Sequence, residues 1–544
     1  MSEETLGDDA NADERDASAD GSGPEGDGRG GTNAGGSGGS TDQAIRDLAK
    51  GAGVVYVGLV VEVVIAFLAQ VLAARYLSTG GFGGITTGTA LLNIGAIVSS
   101  VGFGEGMARY LPRLPDERKR AVARAAFLLG LPVAIVVGGV FVLFAEPIAT
   151  RVFGDPTVAV SLRIFGAAIP FSTATVISIG GIRGQKQSRY RVYVENILQP
   201  TVRFGLVVVA VTYGLDQAGV AGAYAVPYVV GSALAVYYCW RVLPAGESGL
   251  DRSLLGEFVG YSAPFVVTGA ANFIYRSIDV FLVLYFLDSE AVGVYGVAYA
   301  AAQLIIMFSA AFNFIGTPVA SEVEASGGRD EMLRVQNAVL RWLVIASIPA
   351  LAPLVFYPAD FISVVYRPAY AEGAATLALL ALGFAVHNVL NAQANLLQAL
   401  GNSRELAINN TVAAAVNVGL NVVLIPKYGI FGAAVATVIA YMTIDALTVL
   451  ELRYYLGRFT ISRRVVAPVL VALPLFGATA LLAPDTLTTL AGLIAFGAAF
   501  AVAYLLLVLF ALGLNAEEVM LVRSAEERFG VTHPLLDAFL DRFS

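Results

Sequence analysis

Cysteine and histidine are nearly missing from this 544-residue chain. One cysteine, Cys239, and two histidines, His387 and His533, leave no disulfide framework and no thiolate metal site. Two imidazoles are too few for a histidine-built metal centre, and none is expected. Charge is scarce too. Only 14% of residues are charged and 57% are apolar, with a mean hydropathy of +0.71; a soluble domain carries about a quarter charged residues. Nucleic-acid binding needs more basic surface than this and is excluded. A glycine-rich phosphate loop ending in lysine is lacking, so ATP is not an expected ligand. No Asp-x-Asp metal pair lies in the apolar body of the chain, and the loops there are about twenty residues or shorter, little room for a loop-built enzyme site.

Lysine is limited to Lys50, Lys119, Lys186 and Lys427, against thirty arginines. The net charge of −8 is concentrated at one end: residues 1–42 hold eleven acids and two bases. That tail is Gly/Ser/Asp-rich and too polar to offset its ordering entropy, so residues 1–44 read as a disordered cytosolic segment. It has neither the basic start nor the apolar centre of a signal peptide.

What remains is long apolar runs. A bilayer is crossed by about 20 apolar residues in a helix. The chain is expected to be all-α and polytopic, with fourteen spans at roughly 51–76, 84–108, 121–145, 158–182, 192–213, 218–240, 257–287, 291–317, 335–357, 372–400, 403–425, 428–450, 465–483 and 488–513. Counting Lys and Arg on alternate sides gives nineteen against four. The positive-inside rule then places both termini in the cytoplasm of a plasma-membrane protein. The polar segment 515–544 reads as a cytosolic appendage.

The spans repeat. Leu77-Ser-Thr-Gly-Gly-Phe-Gly83 has the form of Leu287-Asp-Ser-Glu-Ala-Val-Gly293, and Tyr213-Gly214 followed by Gly222-Ala223 has that of Tyr428-Gly429 followed by Gly432-Ala433. Two parallel six-helix lobes are expected, residues 45–245 and 246–458, enclosing a central cavity worked by alternating access. Residues 459–514 supply two extra helices.

Four motifs carry a family likeness: Ala74-Arg75-Tyr76-Leu77 through Phe82-Gly83; Gly102-Phe103-Gly104; Val292-Gly293-Val294-Tyr295; and Ile425-Pro426-Lys427-Tyr428-Gly429-Ile430-Phe431-Gly432-Ala433-Ala434. Over about residues 45–515 the chain resembles the polysaccharide-export branch of the multidrug/oligosaccharidyl-lipid/polysaccharide exporter superfamily. Ser78-Thr79 stands where that branch usually has Gly-Pro. The acidic tail and the preference for arginine are similar to those of salt-loving archaea. The resemblance implies a flippase, not an enzyme, that moves a polyprenol- or dolichol-linked oligosaccharide from the cytoplasmic to the outer leaflet for surface glycans. It implies no cofactor, and coupling to a Na+ or H+ gradient. A monomer suffices, because two lobes already enclose a cavity. The competing readings are a cation-coupled multidrug exporter and, behind it, a membrane glycosyltransferase or ligase.

Charges at membrane depth face a cavity or a partner. The substrate-contact candidates are Glu62, Arg75, Glu105, Arg109, Arg163, Arg203, Arg276 and Asp279, with Glu195 and Asp445 beside them. Arginine suits phosphate through its planar fork. Each also has a structural reading. Glu105 and Arg109 are spaced i,i+4 for a local pair; Arg276 and Asp279 are one turn apart; Arg75, Arg109 and Arg163 lie where arginine snorkels to headgroups. Glu62 has no charged neighbour within a turn, so it needs a partner on another helix or a proton. Asn388, Asn391, Asn395 and Gln398 form an amide stripe bordered by His387, and Asn410, Asn417 and Asn421 form a second. Such stripes join helices by hydrogen bonds, touch sugar hydroxyls, or offer oxygens to a coupling cation with Asp279.

Overall fold

The computed structural model describes residues 61–246, 252–306, 329–482, 484 and 486–513. The expected tails at 1–44 and 515–544 lie outside them, as do the first residues of the first span and the last of the eighth. Among the described residues there is no strand, and twelve helices are long and apolar enough to cross a membrane. The protein is a multi-pass membrane protein.

The principal helices of the first half are α1 (residues 61–76), α2 (Thr79–Ser99), α3 (Phe103–Tyr110), α4 (Asp116–Leu143), α5 (Ala159–Gly184), α6 (Gln199–Thr212) and α7 (Gln217–Val242). Those of the second half are α8 (Arg252–Ser262), α9 (Pro264–Phe286), α10 (Ser289–Gln303), α11 (Arg329–Phe356), α12 (Pro358–Val365), α13 (Ala374–Leu390), α14 (Ala392–Ala399) and α15 (Ser403–Leu456). Two more follow, α16 (Arg463–Leu482) and α17 (Leu490–Leu512). Each of the fourteen expected stretches contains helix among its described residues.

Helix α5 packs on α2, α3, α4 and α7, and forms the axis of the first half. In the second half α9 and α13 lie along α15, while α16 and α17 pack on α11. At 54 residues α15 would run about 80 Å if straight, far beyond a bilayer. It breaks at Gly429, whose φ of 58° and ψ of −142° are not helical. Its two legs fold back on each other: Asn409 donates to Glu451 at 2.7 Å and the Tyr455 hydroxyl to Glu405 at 3.0 Å. Gly214, at the matching place in the first half, also has a positive φ, 67°. A left-handed turn of this kind favours glycine.

The repeat has a packing consequence. Ser78 caps α2 by accepting from the Gly81 N–H, and Asp288 caps α10 by accepting from the Ala291 N–H. The two helices then cross glycine against glycine. A Cβ on Gly83 would fall 1.8 Å from the Ser289 carbonyl oxygen, and one on Gly293 would fall 2.1 Å from the Thr79 oxygen. Only glycine lets the backbones approach this closely. The halves are also clasped here by reciprocal caps. The last carbonyls of a helix lack internal partners and attract cations. Arg75, at the end of α1, donates to the carbonyls of Val364 and, at 2.8 Å, Val365, at the end of α12. Arg367 donates to the Leu77 carbonyl at 2.5 Å, and the Tyr370 hydroxyl to that of Ala74 at 3.0 Å.

Candidate functional site

Two polar regions stand out. The first lies at the end of α2 opposite the clasp. Its making starts with a broken helix: the span expected at 84–108 turns sharply at Val101 and Gly102, both of positive φ, before α3 resumes. The break swings Glu105 toward α5, on which α3 lies so closely that a Cβ on Gly180 would fall 2.1 Å from the Gly104 oxygen. Glu105 therefore pairs with Arg183 at 2.5 Å, 78 residues away, and not with Arg109 one turn along. Arg109 lies over the Phe265 ring, 5.1 Å from its centroid. Residues 192–198, just before α6, wind as a π-helix and carry Glu195, which accepts from Arg191 at 2.7 Å. Pro200 follows, without the N–H an ordinary turn would need.

These elements enclose a cavity of about 290 Å³, lined by Glu105, Arg183, Arg191 and Glu195 with Phe265 and Gly269 of α9. Its carboxylates and guanidiniums are 29–49% exposed. Ion pairs so exposed are worth about 0–1 kcal/mol. The fold hardly depends on them, and they are free to exchange partners. Close by, α8 leans on the first half: Phe258 stacks on Phe103 at 5.2 Å, and Arg113 sits over the Tyr261 ring.

The second region is a buried polar core in the other half. Asp279 of α9 is 2% exposed. Its carboxylate accepts from the Tyr295 hydroxyl of α10, from Thr437 of α15 at 3.2 Å, and from the Val280 N–H at 3.0 Å. One turn along α10, the Tyr299 hydroxyl donates to the Arg276 carbonyl at 3.0 Å and lies 3.3 Å from the Tyr441 hydroxyl. The Tyr441 ring stacks on the imidazole of His387 at 4.2 Å. His387 Nδ1 meets both oxygens of Asp445, at 2.9 and 3.1 Å.

The comparisons with known proteins bear on what this arrangement belongs to. The sequence pattern of polysaccharide biosynthesis proteins matches residues 48–324, just over half the chain. The chain belongs to the polysaccharide biosynthesis protein family. It is 23% identical over 402 residues to the probable low-salt glycan biosynthesis flippase Agl15 of Haloferax volcanii, covering 73% of this chain and 81% of that one. Its fold is similar to that of the lipid II flippase MurJ in an inward closed conformation, with a TM-score of 0.67, 14% identity, and coverage of 84% of this chain and 99% of MurJ. A multidrug resistance MATE family transporter of the MOP superfamily, in an inward-facing conformation, follows with a TM-score of 0.59, 15% identity, and coverage of 73% and 94%.

Within this family member the residues singled out from the sequence scatter. Glu62 accepts a hydrogen bond from Asn196, the cross-helix partner its depth requires. Arg203 lies over the rings of Tyr224 and Tyr228, at 5.2 and 5.8 Å. Arg163 pairs with Glu146 at 3.1 Å on the surface, and Arg75 belongs to the clasp. The first amide stripe is divided by the break between α13 and α14. Asn388 is buried and directs its amide at the Ile305 carbonyl and the Ser347 hydroxyl, while Asn391, Asn395 and Gln398 are exposed. Asn417 and Asn421 are buried and bonded to each other at 2.9 Å; Asn410 is half-buried. Sequence reasoning missed Arg183 and Arg191, counted there only as topology, and the hydroxyl groups around Asp279. A signal existed: Tyr295 and Tyr299, and Thr437, Tyr441 and Asp445, recur every four residues along single helix faces.

Proposed function

We propose that this protein flips a lipid-linked oligosaccharide from the cytoplasmic to the outer leaflet of the plasma membrane, for surface glycan or glycoprotein biosynthesis, by alternating access. The observation that carries the reading is the pocket of Glu105, Arg183, Arg191 and Glu195. A carrier lipid presents phosphate at the membrane face. A guanidinium held by a half-exposed carboxylate exchanges that partner for phosphate at little cost in stability. The positive-inside count assigns the pocket end to the cytoplasm and the clasp to the outside. The clasped structure then corresponds to a state closed toward the outside. Flipping breaks no covalent bond, so no catalytic group or cofactor is required. The work against the bilayer comes from a Na+ or H+ gradient, and one chain suffices.

The test is a deletion strain. Its lipid-linked oligosaccharide pool and its mature surface glycan are measured together. The reading expects the charged carrier to accumulate while surface glycan falls. Missing or truncated carriers would overturn it in favour of an assembly enzyme. Two unchanged pools would overturn it in favour of a drug exporter.

A further inference from the structure

Arginines at the pocket end of the first half are held in different ways. Arg183 and Arg191 are paired with carboxylates, Glu105 and Glu195. Arg120 of α4 closes the end of α7, donating to the Leu243 carbonyl at 3.1 Å and to that of Trp240 at 3.4 Å. Arg189 and Arg241 are held by phenols. Arg189 donates to the Tyr190 hydroxyl at 3.1 Å and lies over that ring, 4.8 Å from its centroid; Arg241 donates to the Tyr237 hydroxyl at 2.9 Å. Neither meets a carboxylate within 4.0 Å among the described residues.

The two phenols belong to one ladder. Tyr190, in the turn Ser188–Arg191, stacks on Tyr238 of α7 at 4.4 Å, and Tyr238 tilts against Tyr237 at 5.4 Å. An uncompensated guanidinium stands at each end of this row of rings, and both are exposed. The exposed face is the one α7 turns to lipid. Val226, Val230, Ala233, Tyr237 and Arg241 are all exposed and recur at helical spacing along a single stripe. That stripe is apolar until Tyr237 and then ends in a phenol and a cation, the profile of a helix face leaving hydrocarbon for headgroups.

A carboxylate cancels a guanidinium; a phenol only orients it. Each phenol oxygen here accepts from its arginine, so its own O–H is left to donate. An anion at either end therefore meets a planar guanidinium fork and a hydroxyl together. The rings and the valine stripe offer apolar surface beside it. Phosphate on the donors and hydrocarbon on the stripe belong to one kind of molecule, a phospholipid of net negative charge. A zwitterionic lipid brings its own cation, which the two guanidiniums repel. We propose that Arg189 and Arg241, with the tyrosine ladder between them, bind an anionic phospholipid of the cytoplasmic leaflet. This lipid is a resident of the membrane and not the cargo, so the site stands apart from the flippase reading. Arg191 of the pocket lies in the same turn as Arg189 and Tyr190, and an occupied site steadies that turn.

The chain has two tryptophans, and one reports on the site. Trp240 precedes Arg241 and stacks on Phe127 at 6.1 Å, while Trp342 lies in α11 of the other half. Full-length protein carrying Trp342→Phe has one emitter. It is placed in phosphatidylcholine vesicles in which a small share of the lipid is brominated phosphatidylglycerol or, in parallel, brominated phosphatidylcholine. Quenching of Trp240 is expected to show phosphatidylglycerol preferred by about tenfold or more, since each arginine near an anionic headgroup is worth about fivefold. Arg189→Gln/Arg241→Gln is expected to abolish the preference. Arg118→Gln/Arg124→Gln takes the same charge from exposed positions of α4 at the same end and is expected to keep it. The difference between parent and arginine variants is also read with Trp342 in place, as a constant background. No preference in the parent would overturn the proposal. Equal loss in the two double variants would overturn it in favour of a diffuse basic face. A preference displaced by a short-chain polyprenyl diphosphate would overturn it by assigning the site to cargo. A lipid preference with unchanged glycan pools in the deletion strain would remove the flippase reading and leave the lipid site; carrier accumulation with no lipid preference would do the reverse.

Discussion

The two halves of this molecule handle charge in opposite ways. In the first half, ionisable groups at the pocket end are half-exposed and paired with one another: Glu105 with Arg183 across two helices, and Arg191 with Glu195 one turn along the same stretch. In the second half, Asp279, His387 and Asp445 are sealed from solvent, Asp279 bonded to tyrosine and threonine hydroxyls and His387 bonded directly to Asp445. The two Tyr-Gly turns at Gly214 and Gly429 match, but the polar contents of the two halves differ. Exposed pairs cost little to separate. The glycine crossing of α2 and α10, with the arginine clasp beside it, is where the two halves meet backbone to backbone.

The contrast can be broken most forcefully at Asp279. Asp279→Ala strips an acceptor from the Tyr295 and Thr437 hydroxyls at once. Buried groups left without a partner cost about 1–3 kcal/mol each, so a large fall in the thermal midpoint of the purified protein is expected, with transport lost. Asp279→Asn keeps an acceptor and should fall less. An alanine variant as stable as the parent would deny the core its structural part. A middle-sized effect is expected at Gly293→Val. The added side chain meets the Thr79 backbone, and overpacking of this kind costs about 1–3 kcal/mol. The clasped state should lose population, read as faster labelling of a cysteine at position 80 from outside. Unchanged labelling would mean that the crossing does not gate.

The smallest effect concerns acid. Asp155, outside the spans, joins the halves by accepting from the Ser289 N–H at 2.9 Å and from Thr157. Burial pushes its carboxyl up, but the hydrogen bonds from Ser289 and Thr157 outweigh that and hold it below the usual carboxylate range. A lowered value in the folded state means stability that is fully present above the ordinary carboxylate range and is lost as pH falls through the lowered one. Melting curves below pH 4 should therefore be steeper in pH for the parent than for Asp155→Asn. Identical slopes would mean that the Asp155 contact to Ser289 does not stabilise the fold.

Much of the architecture was legible because membranes impose it. Long apolar runs and the two Tyr-Gly turns each follow from local physics, and the turn at Gly429 divides α15 where two spans were expected. The broken helices were less so. Nothing in the apolar run from Thr79 to Tyr110 marks the turn at Val101 except Gly102. The site was legible only where partners are neighbours in sequence. Spacing suggested Glu105 with Arg109, because i,i+4 is all that a single helix reveals; packing of α3 on α5 supplied Arg183 instead. His387 showed in the sequence only as the border of an amide stripe, because its carboxylate is 58 residues away, brought to it by the packing of α13 on the second leg of α15.

The division of labour is tested most directly by measuring binding and transport on the same purified proteins, with a short-chain polyprenyl diphosphate as probe. The double variant Arg183→Ala/Arg191→Ala should lose binding by about tenfold or more, since each charge-assisted contact to phosphate is worth about 1.5–3 kcal/mol, while Asp279→Asn and His387→Gln should bind like the parent and fail to transport. Equal loss of binding in all of these variants, or full binding in the arginine double variant, would contradict the account.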